Sequence, residues 1–122
     1  MQQTQYEQNG QTVVLIESQV PVITAPGPAL DLFMSIQYER GCRRIALNKE
    51  AFSKNFFILS TGLAGEVLQK IVNYRLKLAV YGDFSGYTSK PLQDFIRESN
   101  KGNSIFFATT AEEAVARLAA AR

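Results

Sequence analysis

The sequence predicts a single α/β domain built on a mixed sheet, with an N-terminal β-hairpin at one edge, parallel later strands and about four covering helices. Three observations lead there. Asn9-Gly10 separates two strand-like runs, and both residues accept the positive φ of a tight hairpin turn. From about Arg43 onward, short apolar runs alternate with longer amphipathic stretches, the pattern of βα units. Leu78-Ala79-Val80-Tyr81 is apolar throughout rather than alternating, as expected of a strand covered on both faces.

The hairpin arms are expected over Thr4 to Glu7 and Thr12 to Glu17. Val20 to Thr24 reads as a third strand, with Pro21 confining it to an edge or a strand start. Pro26-Gly27-Pro28 breaks that pattern. Ala29 to Arg40 follows as a helix with Ala29, Leu32, Phe33 and Ile36 on one stripe and Gly41 as its C-cap. Arg43 to Asn48 holds Ile45-Ala46-Leu47 and reads as a buried strand. A polar loop to Asn55 comes next, with one helical turn at Glu50 to Ser53, and Phe52, Phe56 and Phe57 are expected to pack beneath the following helix.

That helix is the centre of the chain. Ser60-Thr61-Gly62-Leu63-Ala64-Gly65, after a buried strand, opens it, and it runs to about Tyr74. Two rows four apart, Leu63, Val67, Ile71 and Ala64, Leu68, Val72, face the core. Ser60 or Thr61 is expected to cap its free N–H groups. After the strand Lys77 to Gly82, Ser89 reads as the N-cap of a helix with Pro91 in its first turn and Leu92, Phe95 and Ile96 inward. The helix should end before Lys101-Gly102-Asn103. Ser104 to Ala108 is the last strand. Thr110 and Glu113 form a capping box for a final helix burying Ala114, Val115 and Leu118, with Arg117 and Arg122 complementing its negative end.

Composition narrows the function. A chain of 122 residues, 46% hydrophobic and 20% charged, is ordinary for one globular domain and argues against disorder. The net charge of +2 is too small to suggest a nucleic-acid partner, and the thirteen Lys and Arg look dispersed apart from Arg43-Arg44. Cys42 has no second cysteine to pair with, and the chain opens without the basic-then-apolar pattern of a secretory signal, so a cytoplasmic location is expected. No apolar run approaches the roughly 18 residues of a membrane span.

Enzyme chemistry finds little support. With no histidine, His-based triads and His-ligated metals are ruled out, and no cofactor is implied. Cys42, at a helix end before a strand, reads as a packed residue rather than a nucleophile. Glu66 and Glu98 read as solvated helix-face residues.

The stretch Phe56 to Ala64, the strand after its helix, and Thr110-Ala111-Glu112-Glu113-Ala114 resemble the STAS domain of bacterial anti-sigma factor antagonists. Across nearly the whole chain the sequence is also similar to the bacterial family called domain of unknown function 4180, through Leu59 to Glu66, Asn73-Tyr74-Arg75, Gly82-Asp83-Phe84-Ser85 and Asp94 to Gly102. The STAS resemblance implies a regulatory module that binds a protein partner and is phosphorylated by a partner kinase on a hydroxyl at the helix start. Thr61 matches that position, with Ser60 beside it. Leu59 stands where the STAS motif carries Asp.

A second site is expected from topology. Asp83, Ser85, Tyr87, Thr88 and Lys90 follow the carboxyl end of a strand, where open α/β sheets bind ligands, and Ser60-Thr61-Gly62 should open on the same edge. Together they form one polar patch for a protein partner or, alternatively, a small ligand or anion. The bland readings are helix capping for Ser60 and Thr61, and turn-forming bonds for Asp83 and Ser85. Self-association through an edge strand or a helix face is a further option that the residues leave open.

Overall fold

A computed structural model describes residues 1–122. The strands are β1 (Gln2–Gln8), β2 (Gln11–Glu17), β3 (Arg44–Asn48), β4 (Lys77–Tyr81) and β5 (Ile105–Ala108). The helices are α1 (Pro26–Arg40), α2 (Leu63–Asn73), α3 (Lys90–Lys101) and α4 (Ala111–Ala120). The sheet order is β1-β2-β3-β4-β5, with β1 antiparallel to β2 and every later pair parallel.

Strands added in sequence order on one side, joined by right-handed crossovers, place every crossover helix on the same face. Helices α1, α2 and α3 accordingly pack on the face bearing Ile16, Ile45, Leu47, Leu78, Val80 and Phe107. Helix α4 follows the last strand and covers the other face alone, against Val13, Leu15, Phe106 and the small residues Ala46, Ala79 and Ala108. Three layers result, with β3 and β4 buried on both faces.

Local chemistry explains the element ends. Asn9 and Gly10 both adopt positive φ, 54° and 73°, as the hairpin turn demands. Gly41 ends α1 in the left-handed region, its N–H donating to Gln37 O. Ser89 caps α3 by accepting from Leu92 N, and Thr110 caps α4 by accepting from Glu113 N at 3.1 Å. The Glu113 carboxylate accepts from Thr109 Oγ1 instead of returning to Thr110, so only half of the capping box forms. At the outer edge of β5, Asn100 of α3 donates to Phe107 O at 3.3 Å and accepts Phe107 N–H at 2.8 Å.

Four expectations are corrected. Val20 to Thr24 is not a strand: it touches the sheet region only through the Ile23–Phe52 bridge, with Val22 and Ile23 N–H both donating to Ala51 O. Pro21 and two amides sharing one carbonyl leave no room for a regular ladder. Before α2, three 3₁₀ turns, Lys49–Ala51, Lys54–Phe57 and Leu59–Thr61, stand where one helical turn at Glu50 to Ser53 was expected. On α2, Leu63, Val67, Ile71 and Ala64 are buried, but Val72 at the end of the second row is 54% exposed. Finally, Arg117 reaches Asn100 O and the face of Phe106, while Arg44 Nη1 donates to the carbonyls of Leu118 and Ala121 at the end of α4.

Candidate functional site

At the carboxyl end of the parallel strands, two loop systems face each other. One is the pair of 3₁₀ turns between β3 and α2; the other is the β4–α3 loop. Between them lies a cleft of about 420 Å³ lined by Lys54, Phe57, Ile58, Tyr87, Thr88, Ser89 and Leu92.

The floor is aromatic. Phe57 lies 5.1 Å from Tyr87 and 6.2 Å from Phe84 between ring centroids, and Phe84 stacks edge-on against Phe107 of the sheet. Phe56, fully buried, and Phe52 anchor the same cluster from the core. Such contacts fix ring orientation as well as burying area. Ile58, at the lip, stays 51% exposed.

Thr61 holds this wall in place. Its hydroxyl lies 2.7 Å from Asn55 O and 2.8 Å from Ile58 O, sharing one proton between them, and so ties one 3₁₀ turn to the next. The expected capping of α2 is realised only in part. Gly62, at φ 83°, occupies the N-cap without a side-chain acceptor, and Leu63 N–H makes a long bond of 3.4 Å to Thr61 Oγ1. Ser60 is exposed. The Glu66 carboxylate lies over Gly62, so an acidic group already borders this helix start.

The second loop divides. Tyr87 and Thr88 line the cleft. Asp83 accepts Ser85 N–H at 2.9 Å, and the hydroxyl and amide of Ser85, aided by the Lys49 charge, hold its carboxyl below the usual range. Lys49 crosses above, donating to Asp83 O, lying 5.2 Å from the Tyr87 ring centre and running over Gly82, where a Cβ would come within 2.9 Å of the lysine stem. Lys90 pairs with Asp94 at 3.0 Å, away from the cleft.

The molecule therefore brings Tyr87 and Thr88 to the wall built by Thr61, leaves Asp83 and Ser85 bonding each other, and turns Lys90 to its own helix. Lys54, Phe57, Ile58, Ser89 and Leu92 complete the cleft. Their signal in the sequence was the aromatic pair before α2, which reads equally well as plain core. No three His, Cys, Asp or Glu side chains gather where they could hold a metal.

The family model for Domain of unknown function (DUF4180) matches residues 8–118. The chain belongs to that family. In this DUF4180 chain the match spans both arms of the cleft and every strand and helix except most of β1 and the end of α4. No curated protein and no solved structure matches the chain. No helix is long and apolar enough to cross a membrane.

Proposed function

We propose that this DUF4180 domain is a non-enzymatic regulatory module that binds a protein partner through the cleft at the carboxyl rim of its sheet, in the manner of the STAS domains it resembles. One observation carries the reading: an apolar lip, Ile58, stands exposed over an aromatic floor on a wall latched by the Thr61 hydroxyl. Exposed apolar side chains bordered by polar groups suit a partner's surface. The cytoplasmic location belongs to the same reading.

The latch supplies a switch. A partner kinase would move the γ-phosphoryl group of a nucleoside triphosphate onto Thr61 Oγ1 or Ser60 Oγ, releasing the diphosphate and the hydroxyl proton. On Thr61 the ester oxygen has no proton to donate, and the phosphate meets two carbonyl oxygens and Glu66. The 3₁₀ wall would open. On Ser60 the latch survives and only charge is added.

Co-expression with kinases of the source genome, followed by intact-mass analysis and partner capture, tests this. Ile58→Asp should abolish capture and Thr61→Glu should reduce it. Partner binding that ignores both substitutions removes the proposal.

A small apolar ligand in the same cleft is the second reading, favoured by a volume within the range of ligand pockets. A thermal-shift screen separates the two, since a ligand at 100 times its Kd adds about 2.7 kcal/mol of stability.

A further inference from the structure

The opposite rim of the sheet carries a different site. A groove of about 550 Å³ runs along the amino ends of the parallel strands, beside the hairpin turn and the ends of α1 and α2. Five cations line it, Arg43, Arg44, Arg75, Lys77 and Arg122, and no Asp or Glu does. In a chain whose net charge is only +2, that segregation is pronounced.

None of the five has a carboxylate partner. The chain's ion pairs, Lys90–Asp94, Arg97–Asp94 and Lys101–Glu98, all lie on α3. The neighbouring acid, Glu7, is engaged by Thr12 Oγ1 at 2.9 Å. Backbone carbonyls position two of the cations: Arg44 donates to Leu118 O and Ala121 O, and Lys77 Nζ to Asn103 O at 2.5 Å. Burial first, and the adjacent Arg44 charge second, lower the Lys77 pKa, so the two cations stand close enough to act on each other.

The backbone opens toward the groove. Gly10 and Gly41 hold positive φ, and a Cβ at either would meet nothing within 4 Å. Arg75 adopts φ 56° at the end of α2, where Arg75 N–H donates to Val72 O and Leu76 N–H to Ile71 O. That loop normally has glycine at its left-handed position. An arginine there places a guanidinium at the groove at a conformational cost.

We propose that this groove binds a small polyphosphorylated compound through Arg43, Arg44, Arg75 and Lys77. Guanidinium groups match phosphate oxygens in pairs, and the volume is that of a small-molecule site. No aromatic side chain lines the groove, so nothing there stacks a nucleobase, and a single-stranded nucleic acid is disfavoured.

The test uses the full chain in phosphate-free buffer at fixed ionic strength, with tripolyphosphate as the probe and calorimetry and thermal unfolding as readouts. Tripolyphosphate at about 100 times its Kd should raise the unfolding midpoint by on the order of 10 °C. Arg75→Gly suits the same turn and should weaken binding about tenfold without lowering the unliganded midpoint. Arg43→Gln should weaken it comparably. Four results would each overturn the proposal: no binding beyond a sodium chloride control, equal binding of citrate, tighter binding of a short single-stranded oligonucleotide, or unchanged affinity in both variants. The cleft at the other rim is untouched by these substitutions, so this outcome and that of the partner-capture experiment are independent.

Discussion

The side-chain amide of Asn48 pairs with both main-chain groups of Ser18: Oδ1 accepts Ser18 N–H at 2.9 Å and Nδ2 donates to Ser18 O at 2.8 Å. The last residue of β3 thus supplies one more rung to β2 where the chain leaves the sheet, beyond the Ile16–Leu47 pair. Ser18, the one buried polar residue, is satisfied by this contact and by its hydroxyl on Val20 O. Asn48→Ala leaves two buried main-chain groups without partners and should cost about 2 to 3 kcal/mol in chemical denaturation. Asn48→Asp retains the acceptor but sets a carboxylate against Ser18 O, so it should recover only part of that loss.

Thr61 invites a stability test separate from any partner. Thr61→Val keeps the shape and removes the shared hydroxyl proton between Asn55 O and Ile58 O. A loss of about 1 kcal/mol is expected, with Thr61→Ser near wild type. Protease nicking between Lys54 and Ser60 should rise in the Val variant as the two turns come apart.

Arg75→Gly should leave the domain as stable or more so, by up to about 1 kcal/mol, because a glycine at φ 56° escapes the steric penalty while adding freedom to the unfolded chain. Urea unfolding measures it directly. A clear loss would mean that the arginine makes a structural contact of its own.

Tyr81 predicts an alkaline limit. Its hydroxyl donates to Ile16 O at 3.2 Å, and burial, followed by the charges of Glu17 and Glu50, pushes its pKa up to about 12 from an ordinary 10.0. The folded state holds the proton more tightly than the unfolded chain. The associated stability is therefore complete below about pH 10 and is lost as pH rises toward 12. Tyr81→Phe should flatten that part of the stability profile, and ultraviolet difference titration should show one late-ionising tyrosine missing.

How much of this was legible in the sequence depended on how local the signal was. Asn9-Gly10, Gly41, Ser89 and Thr110 act on their immediate neighbours, and each ended or began its element as read. Buried runs such as Leu78 to Tyr81 were equally plain. Phe56 to Leu59 was not, because an apolar run this short fits a strand or packed turns, and contacts from Phe84 and Tyr87 decide between them. The Thr61 hydroxyl mainly turns back to the residues before it, donating to Asn55 O and Ile58 O, and meets α2 only through a long bond from Leu63 N–H. The basic groove was illegible for the same reason: Arg43, Arg75, Lys77 and Arg122 are scattered along the chain and meet only when parallel strands align their beginnings.

The amide of Asn100 laid against Phe107 makes the sheet asymmetric in a way that bears on crowding. The main-chain groups of Phe107 on the four-residue β5 margin are already occupied, whereas the seven-residue β1 margin is largely polar and exposed. An added strand therefore meets an obstruction at Phe107 and none along β1, so strand addition is directed to the hairpin side of the sheet.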